Sequence, residues 1–545
     1  MFLLLAVSGA VQARACALST VSIDTENRTI RWDLTFPKGV NALRLSPGNK
    51  SDQINWTVDP AIASLQHGTL VRASAKTSMV TLTSTLPQYS RHQDRVYSPT
   101  IVFEDGSVAV LSSLFNFSMG DGAPRCTTFI APSKGKVGTG DKWNRLSVVN
   151  DALVSGYIVF GNPKIEQTGG LTLVLDKGVP SWAKEEIVHT LESAIGLYAA
   201  KMEPQPLPPI IIYTQNTPGV AYHWGDRLPG SITLGLFGKN WRVRGQSLED
   251  DLKRFIAHEI FHVWNGRVNF VDDGNSLLAV EGGAELASVF ARAKTSTQPN
   301  LFVLNNVSDA LNQCQLDLAY GNSLNQLLQA PHPGVVPYHC GMILMFAATA
   351  APNIAAAAGD NFFNSWKSVL AGGHEKAHRW SDLVVENQDN QDNQDNQKVE
   401  NLNQAIFVKG KFVDYIKIVL AMDGYEVLPD GDLSPTIKNQ LATVIMADLM
   451  QIDCAGAVSF WSQDGGFLID PQIESCRTLH PGATVTSILG KKPWDDPMAL
   501  VAKLHSLCQE RSAVSVGYDH GIESSFIACR KEFPDTPVPV RIVRK

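Results

Sequence analysis

Two histidines and a glutamate stand close together in SLEDDLKRFIAHEIFHVWNGRV, residues 247–268. Leu248, Leu252, Phe255, Ile256, Ile260 and Phe261 recur there at helical spacing, and Ser247 is placed as an N-cap with Asp250 three positions on. The stretch is therefore expected to be one amphipathic helix. On it, His258 and His262 lie four positions apart on the same side, so both imidazoles can reach a single tetrahedral ion such as Zn²⁺. Glu259 between them is angled off that line. It is placed to take a proton from water, as a general base in hydrolysis.

A catalytic zinc site takes a third protein ligand. The segment NSLLAVEGGAELASVFARAK offers Glu281, with 18 residues between it and His262. Glu285 follows four positions later, on the same face of an expected helix. A metal-bound imidazole commonly donates its other N–H to a carboxylate, and Glu285 is placed to orient one of the histidines in this way. The plainer alternative is that Glu281 and Glu285 form a solvated helix face. The intact first motif and the adjacent Gly282-Gly283 argue against it.

HExxH followed after 18 residues by Glu resembles the gluzincin zinc metallopeptidases, and HEIFHVWN with EGGAE looks most like the glycyl aminopeptidase family among them. The resemblance implies His258, His262 and Glu281 as zinc ligands and Glu259 as general base. It also implies a downstream tyrosine, commonly in a Pro-Tyr-x-x-Gly context, that stabilises an oxyanion. VVPYHCGMILMF supplies Tyr338, 57 positions after Glu281, flanked by Pro337 and Gly341; Tyr320 in AYGNS competes for the role. His332 and His339 lie near Tyr338 in the sequence, where packing or surface roles are the ordinary ones. Two departures stand out. Gly283 occupies a position that is often bulky, and PGSITLGLFGKNW lacks the glutamate that related aminopeptidases of the leukotriene-hydrolase type use to hold a substrate amine.

These residues need elements to position them. From 16 to 166 the pattern has period two: TIRWDLTF alternates apolar and polar residues, and Asp105-Gly106 marks a hairpin, so an N-terminal antiparallel β domain is expected. From 167 to 430 the strand-like LTLVLD, IIIYT and SITLGLF surround an amphipathic helix and lead into the histidine helix. That order resembles a thermolysin-like catalytic domain, with a small sheet and a helical bundle. SITLGLF is one candidate for an edge strand that adds substrate backbone, and equally a candidate central strand. The polar repeat within residues 386–404 is expected to be a disordered insert. Residues 440–545 resemble a PDZ domain, with Leu479, Gly482, Val485, Ile488 and Gly490 where its glycine turn and strand would place them. The whole reads as a multidomain α+β chain.

The apolar run Phe2 to Val11, followed by Ala13-Arg14-Ala15, reads as a signal peptide over residues 1–15 and implies a periplasmic or secreted protein. Cys16 directly afterwards raises lipoprotein anchoring as a lesser alternative. A net charge of -7 without basic clusters argues against nucleic acid, and no second run reaches transmembrane length. The eight cysteines contain no CxxC, and an even count in an oxidising compartment implies disulfides. Their connectivity is open; sequential pairing, such as Cys314 with Cys340 and Cys508 with Cys529, is one expectation.

The expected activity is zinc-dependent hydrolysis of a peptide or protein substrate, with an aminopeptidase as one form. The alternatives are a non-catalytic peptide-binding protein whose zinc site is a scaffold for the PDZ-like end, and an enzyme cleaving a non-peptide bond such as an epoxide.

Overall fold

The computed structural model describes residues 18–45, 54–86, 98–119, 127–139, 142–150, 156–216, 221–271, 274–319, 322–330, 334–350, 359–372, 377–385, 393–430, 433–463, 465–471, 473, 475–519, 524–529 and 537–545. The expected signal peptide, Cys16, Cys126, Tyr320, His332 and residues 386–392 lie outside the described residues. The chain divides into two compact units, Met1–Glu186 with Pro206–Leu248, and Ile187–Gln205 with Glu249–Lys545.

In the first unit, TIRWDLTF forms the strand Thr29–Thr35, whose Ile30, Trp32 and Leu34 are buried while Thr29 and Arg31 face solvent. That alternation covers one face of a five-stranded sheet. Its pairs are antiparallel except Ser19–Asp24 with Thr127–Ile130, which run parallel, so the purely antiparallel expectation is corrected. The reason is the long excursion between these two strands through other sheets, which frees the returning strand to enter in either direction. The expected hairpin at Asp105-Gly106 joins the antiparallel strands Thr100–Val102 and Val108–Leu111, with Gly106 at φ 84°.

The same unit holds the sheet that precedes the histidine helix. Its strands are β1 (Lys164–Thr168), β2 (Leu171–Leu175), β3 (Ile210–Gln215), β4 (Tyr222–Leu228) and β5 (Ser231–Phe237), in the order β1-β2-β3-β5-β4. SITLGLF is β5, parallel to β3 on one side and antiparallel to β4 on the other, with all seven residues buried. It is a central strand and has no free edge to offer a substrate, which follows from an apolar run that must be covered on both faces. The edge belongs to β4. This strand does carry an acid, Asp226, which accepts a hydrogen bond from Trp224 Nε1 at 3.1 Å. Buried Asp176, just after β2, binds the backbone N–H groups of Glu104 and Thr214 and so fastens the N-terminal hairpin to this sheet.

One boundary between the units falls inside helix α1 (Ser181–Met202), and another, after Leu248, falls in the first turn of the histidine helix. The second unit is built on α2 (Gln246–Asn265), α3 (Ser276–Ala293), α4 (Pro299–Leu318), α5 (Val336–Thr349) and α6 (Gly359–Ala371). Helix α2 starts one residue before Ser247, which therefore sits in its first turn rather than capping it, and stops at Asn265, short of Val268. Its apolar face is held by aromatic side chains. Tyr198 donates to the Ala257 carbonyl at 3.0 Å, Trp264 Nε1 to the Glu203 carbonyl at 2.8 Å, and Phe261 meets Trp366 edge-on at 5.5 Å.

The polar repeat is not wholly disordered, as expected from its composition, but helical from Asn393 as part of α7 (Asn393–Phe407). Leu402, near the end of this segment, and Ala405 and Ile406, just beyond it, supply a buried face, and Lys398 pairs with Asp423 at 2.7 Å, so the helix is fixed from its C-terminal half. After α8 (Phe412–Met422) and strand β6 (Tyr425–Pro429) comes α9 (Pro435–Asp453). An antiparallel sheet follows in the order β7 (Phe460–Gln463), β8 (Gly466–Ile469), β9 (Thr484–Ile488), β10 (Ala513–Tyr518) and β11 (Ser525–Ala528), with α10 (Pro497–Gln509) between β9 and β10. Leu479, Val485 and Ile488 are buried in its core, and Gly482 and Gly490 both take positive φ. The last strand, β12 (Val540–Arg544), leaves this sheet and pairs antiparallel with β6. Disulfides join Cys314 to Cys340, Cys454 to Cys476 and Cys508 to Cys529, and no cysteine is free among the described residues. Cys314–Cys340 ties α4 to α5, the helix that carries Tyr338. None of the described helices is long and apolar enough to cross a membrane.

Candidate active site

Helix α2 presents His258 and His262 one turn apart, and α3 presents Glu281 and Glu285 in the same way. The two helices bring three ligand atoms together. His258 Nε2 lies 3.1 Å from His262 Nε2 and 3.2 Å from Glu281 Oε2, and His262 Nε2 lies 3.6 Å from that same oxygen. Two nitrogens and an oxygen held at zinc's usual distances in a tetrahedron would be about 3.3 Å apart, so the spacing of this trio fits the ion.

Electrostatics favours a cation at the same point. Burial alone would lower the His258 imidazole, but Glu281 and Glu285 reverse that and push it up to about 10. Burial would raise Glu281, yet His262 and His258 hold it well below the usual carboxylate range. A buried carboxylate, Glu285, and a partly buried one, Glu281, thus face two imidazoles, an arrangement that binds positive charge.

Each histidine has its own partner behind it. His258 Nδ1 is 3.3 Å from Glu285 Oε1, longer than a well-formed hydrogen bond, as the expected orienting contact. Arg254, one turn before His258 on α2, reaches the same Oε1 at 2.8 Å and Asp251 at 3.0 Å. Burial would raise Glu285, but Arg254 and then His258 hold it down at about 2, so it stays ionised. His262 Nδ1 instead faces Asn265 Oδ1 at 2.9 Å. Sequence reasoning singled out neither Arg254 nor Asn265. Both stand at helical spacing from a ligand, four before His258 and three after His262, and that spacing was the available signal.

Tyr338 reaches the cluster because helices α3 and α5 touch backbone to backbone. A Cβ on Gly282 would lie 2.2 Å from the Gly341 carbonyl carbon, and one on Gly341 would lie 2.5 Å from the Leu278 carbonyl oxygen. Gly283, where bulk was expected, gives its space to Trp366, whose ring a Cβ there would meet at 2.7 Å. One turn before Gly341, the Tyr338 ring stacks on His258 with centroids 5.4 Å apart and planes 21° from parallel. Burial, reinforced by Glu281, Glu259 and Glu285, pushes its phenol far above the ordinary value, so it remains a hydrogen-bond donor. Glu259 is partly exposed between the two histidines. His339 Nδ1 lies 3.6 Å from Asp317 Oδ2.

No family model matches this chain, and no curated protein matches it by sequence. Among solved structures, the chain is similar to an aminopeptidase N family protein from Idiomarina loihiensis, with a TM-score of 0.61 at 12% identity, over 96% of this chain and 97% of that one. It is also similar, more loosely, to an M1 zinc metallopeptidase from Deinococcus radiodurans solved with a Tyr-Ser-Ala substrate: TM-score 0.42, 14% identity, 71% of this chain and 92% of that one. At such identities only the fold is shared evidence, and the first likeness carries it: the chain has the fold of an aminopeptidase N family structure along nearly its whole length.

Proposed function

We propose that this chain is a zinc-dependent peptidase. The observation that carries the reading is the convergence of His258 Nε2, His262 Nε2 and Glu281 Oε2 within 3.1 to 3.6 Å of one another. These three residues would hold the ion. When bound, zinc supplies Lewis acidity, polarising a scissile carbonyl and making water more acidic. Glu259 takes a proton from the attacking water and passes it to the leaving amine. Tyr338 donates its phenolic hydrogen to the oxygen on which negative charge develops, an interaction stronger in the transition state than in the bound substrate. Glu285, kept anionic by Arg254, holds the His258 ring in place.

The fold likeness to an aminopeptidase N family protein supports this reading, and the complete set of ligands and base favours it over a binding protein with a scaffold zinc. The three disulfides favour an oxidising compartment, in keeping with export. We assign the sheet β7 to β11 with α10 to a PDZ-like module appended to the helical region.

The test is cleavage of a mixed peptide library, read by mass spectrometry, for the parent chain, the chelated chain and Glu259→Gln. The parent should cleave and the chelated chain should not. Glu259→Gln should keep its zinc and lose about 100-fold or more in turnover, the usual size of a lost general base. Cleavage by Glu259→Gln at the parent rate would overturn the mechanism.

A further inference from the structure

His262 is the one ligand whose partner is an amide rather than a charge. Asn265, the last residue of α2, is fully buried. Its Nδ2 donates to the Val280 carbonyl at 2.8 Å, and its Oδ1 lies 2.9 Å from His262 Nδ1. Val280 immediately precedes Glu281, so one side chain joins a histidine of the cluster to the backbone beside its carboxylate.

The chemistry of these four groups leaves one arrangement. A peptide carbonyl can only accept, so the amide nitrogen must face Val280 and the amide oxygen must face the imidazole. That oxygen can also only accept, so His262 Nδ1 must carry the hydrogen. In the neutral ring Nε2 then keeps its lone pair, and Nε2 is the atom aimed at Glu281 and His258. A carboxylate at this position could still accept from His262 Nδ1, but it has no donor for Val280 and would set two acceptors against each other there.

Resting on the zinc reading above, we propose that Asn265 is a positioning residue: it selects the metal-ready tautomer of His262 and fixes that ring relative to Glu281. It acts through His262 and touches neither substrate nor ion.

The test measures Zn²⁺ affinity of the full chain by chelator competition, beside its urea denaturation, for the parent, Asn265→Leu and Asn265→Asp. Leucine keeps the volume and removes the acceptor; aspartate keeps an acceptor for Nδ1 and removes the donor to Val280. Asn265→Leu should bind zinc about 10- to 100-fold more weakly, the usual cost of losing such a partner. Asn265→Asp should recover most of that affinity while its urea midpoint falls with the lost Val280 bond. A folded Asn265→Leu with parent affinity overturns the proposal, as does Asn265→Asp binding as weakly as the leucine variant, since a purely structural weld would be hurt by both. If Asn265→Leu does not fold, Asn265→Asp decides alone: affinity near the parent supports the role, and affinity falling with stability overturns it. A parent chain that takes up no stoichiometric zinc would sink the peptidase reading itself, an outcome distinct from all of these.

Discussion

The Tyr338 hydroxyl can be removed without disturbing the stack its ring makes on His258. Tyr338→Phe is therefore a narrow probe. It should lower kcat by about 100- to 1000-fold, the range for one lost oxyanion donor, and leave KM within a few-fold, as steady-state kinetics on a cleaved peptide would read. Unchanged kcat would remove Tyr338 from the chemistry. At this scale the sequence was most informative where side chains are related by a single helical turn. His258 with His262 and Glu281 with Glu285 each form such a pair, so type and spacing sufficed to place them on common faces. Asn265 is also one turn from His262, but its meaning depends on the Val280 carbonyl of a different helix. Nothing local announces that partner.

The meeting of α3 and α5 is an element-scale contact set by two glycines. Gly282→Ala would place a methyl 2.2 Å from the Gly341 carbonyl carbon, and that neighbour is backbone and has no rotamer to yield. The helices must separate, carrying Tyr338 away from His258. We expect a loss of about 1–3 kcal/mol or more in urea denaturation, the scale of overpacking, together with a fall in peptide cleavage. A variant as stable and active as the parent would show that the contact is not needed. Strands and helices were legible from period alone, but their neighbours were not. SITLGLF reads as an apolar run whether it lies at an edge or in the middle, and only the return of β4 beside it makes it central. The repeat misled in the opposite direction. Its composition carries no apolar face, and the residues that make it helical, from Lys398 to Ile406, stand at its end and beyond.

Across the whole second unit, long-range ties fix what local pattern leaves loose. Asn312 of α4 pairs with the backbone of Val540 as a neighbouring strand would, donating to its carbonyl and accepting from its N–H, both at 2.8 Å. Ser308, one turn earlier, accepts from the Ile542 N–H at 2.9 Å. Asn312→Ala would leave two buried main-chain groups unpaired at a cost of about 1–3 kcal/mol each. Its denaturation midpoint should fall, and cleavage at temperatures well below that midpoint should be near the parent value. A midpoint equal to the parent's would show that the clasp contributes nothing. No sequence signal pointed to this tie, because a buried asparagine on an apolar helix face has no visible partner until β12 folds back onto it.

That clasp joins positions 228 apart, so it also sets an order of events. During synthesis, the two histidines, Glu259, Glu281, Glu285 and Tyr338 all leave the ribosome at least two hundred residues before the segment that completes α4, the helix bonded through Cys314 to the one bearing Tyr338. A copy interrupted or clipped ahead of Val540 would own every reactive group yet lack the closing stitch of its framework. The durability of this framework is thus decided by a stretch that emerges long after the side chains it shelters.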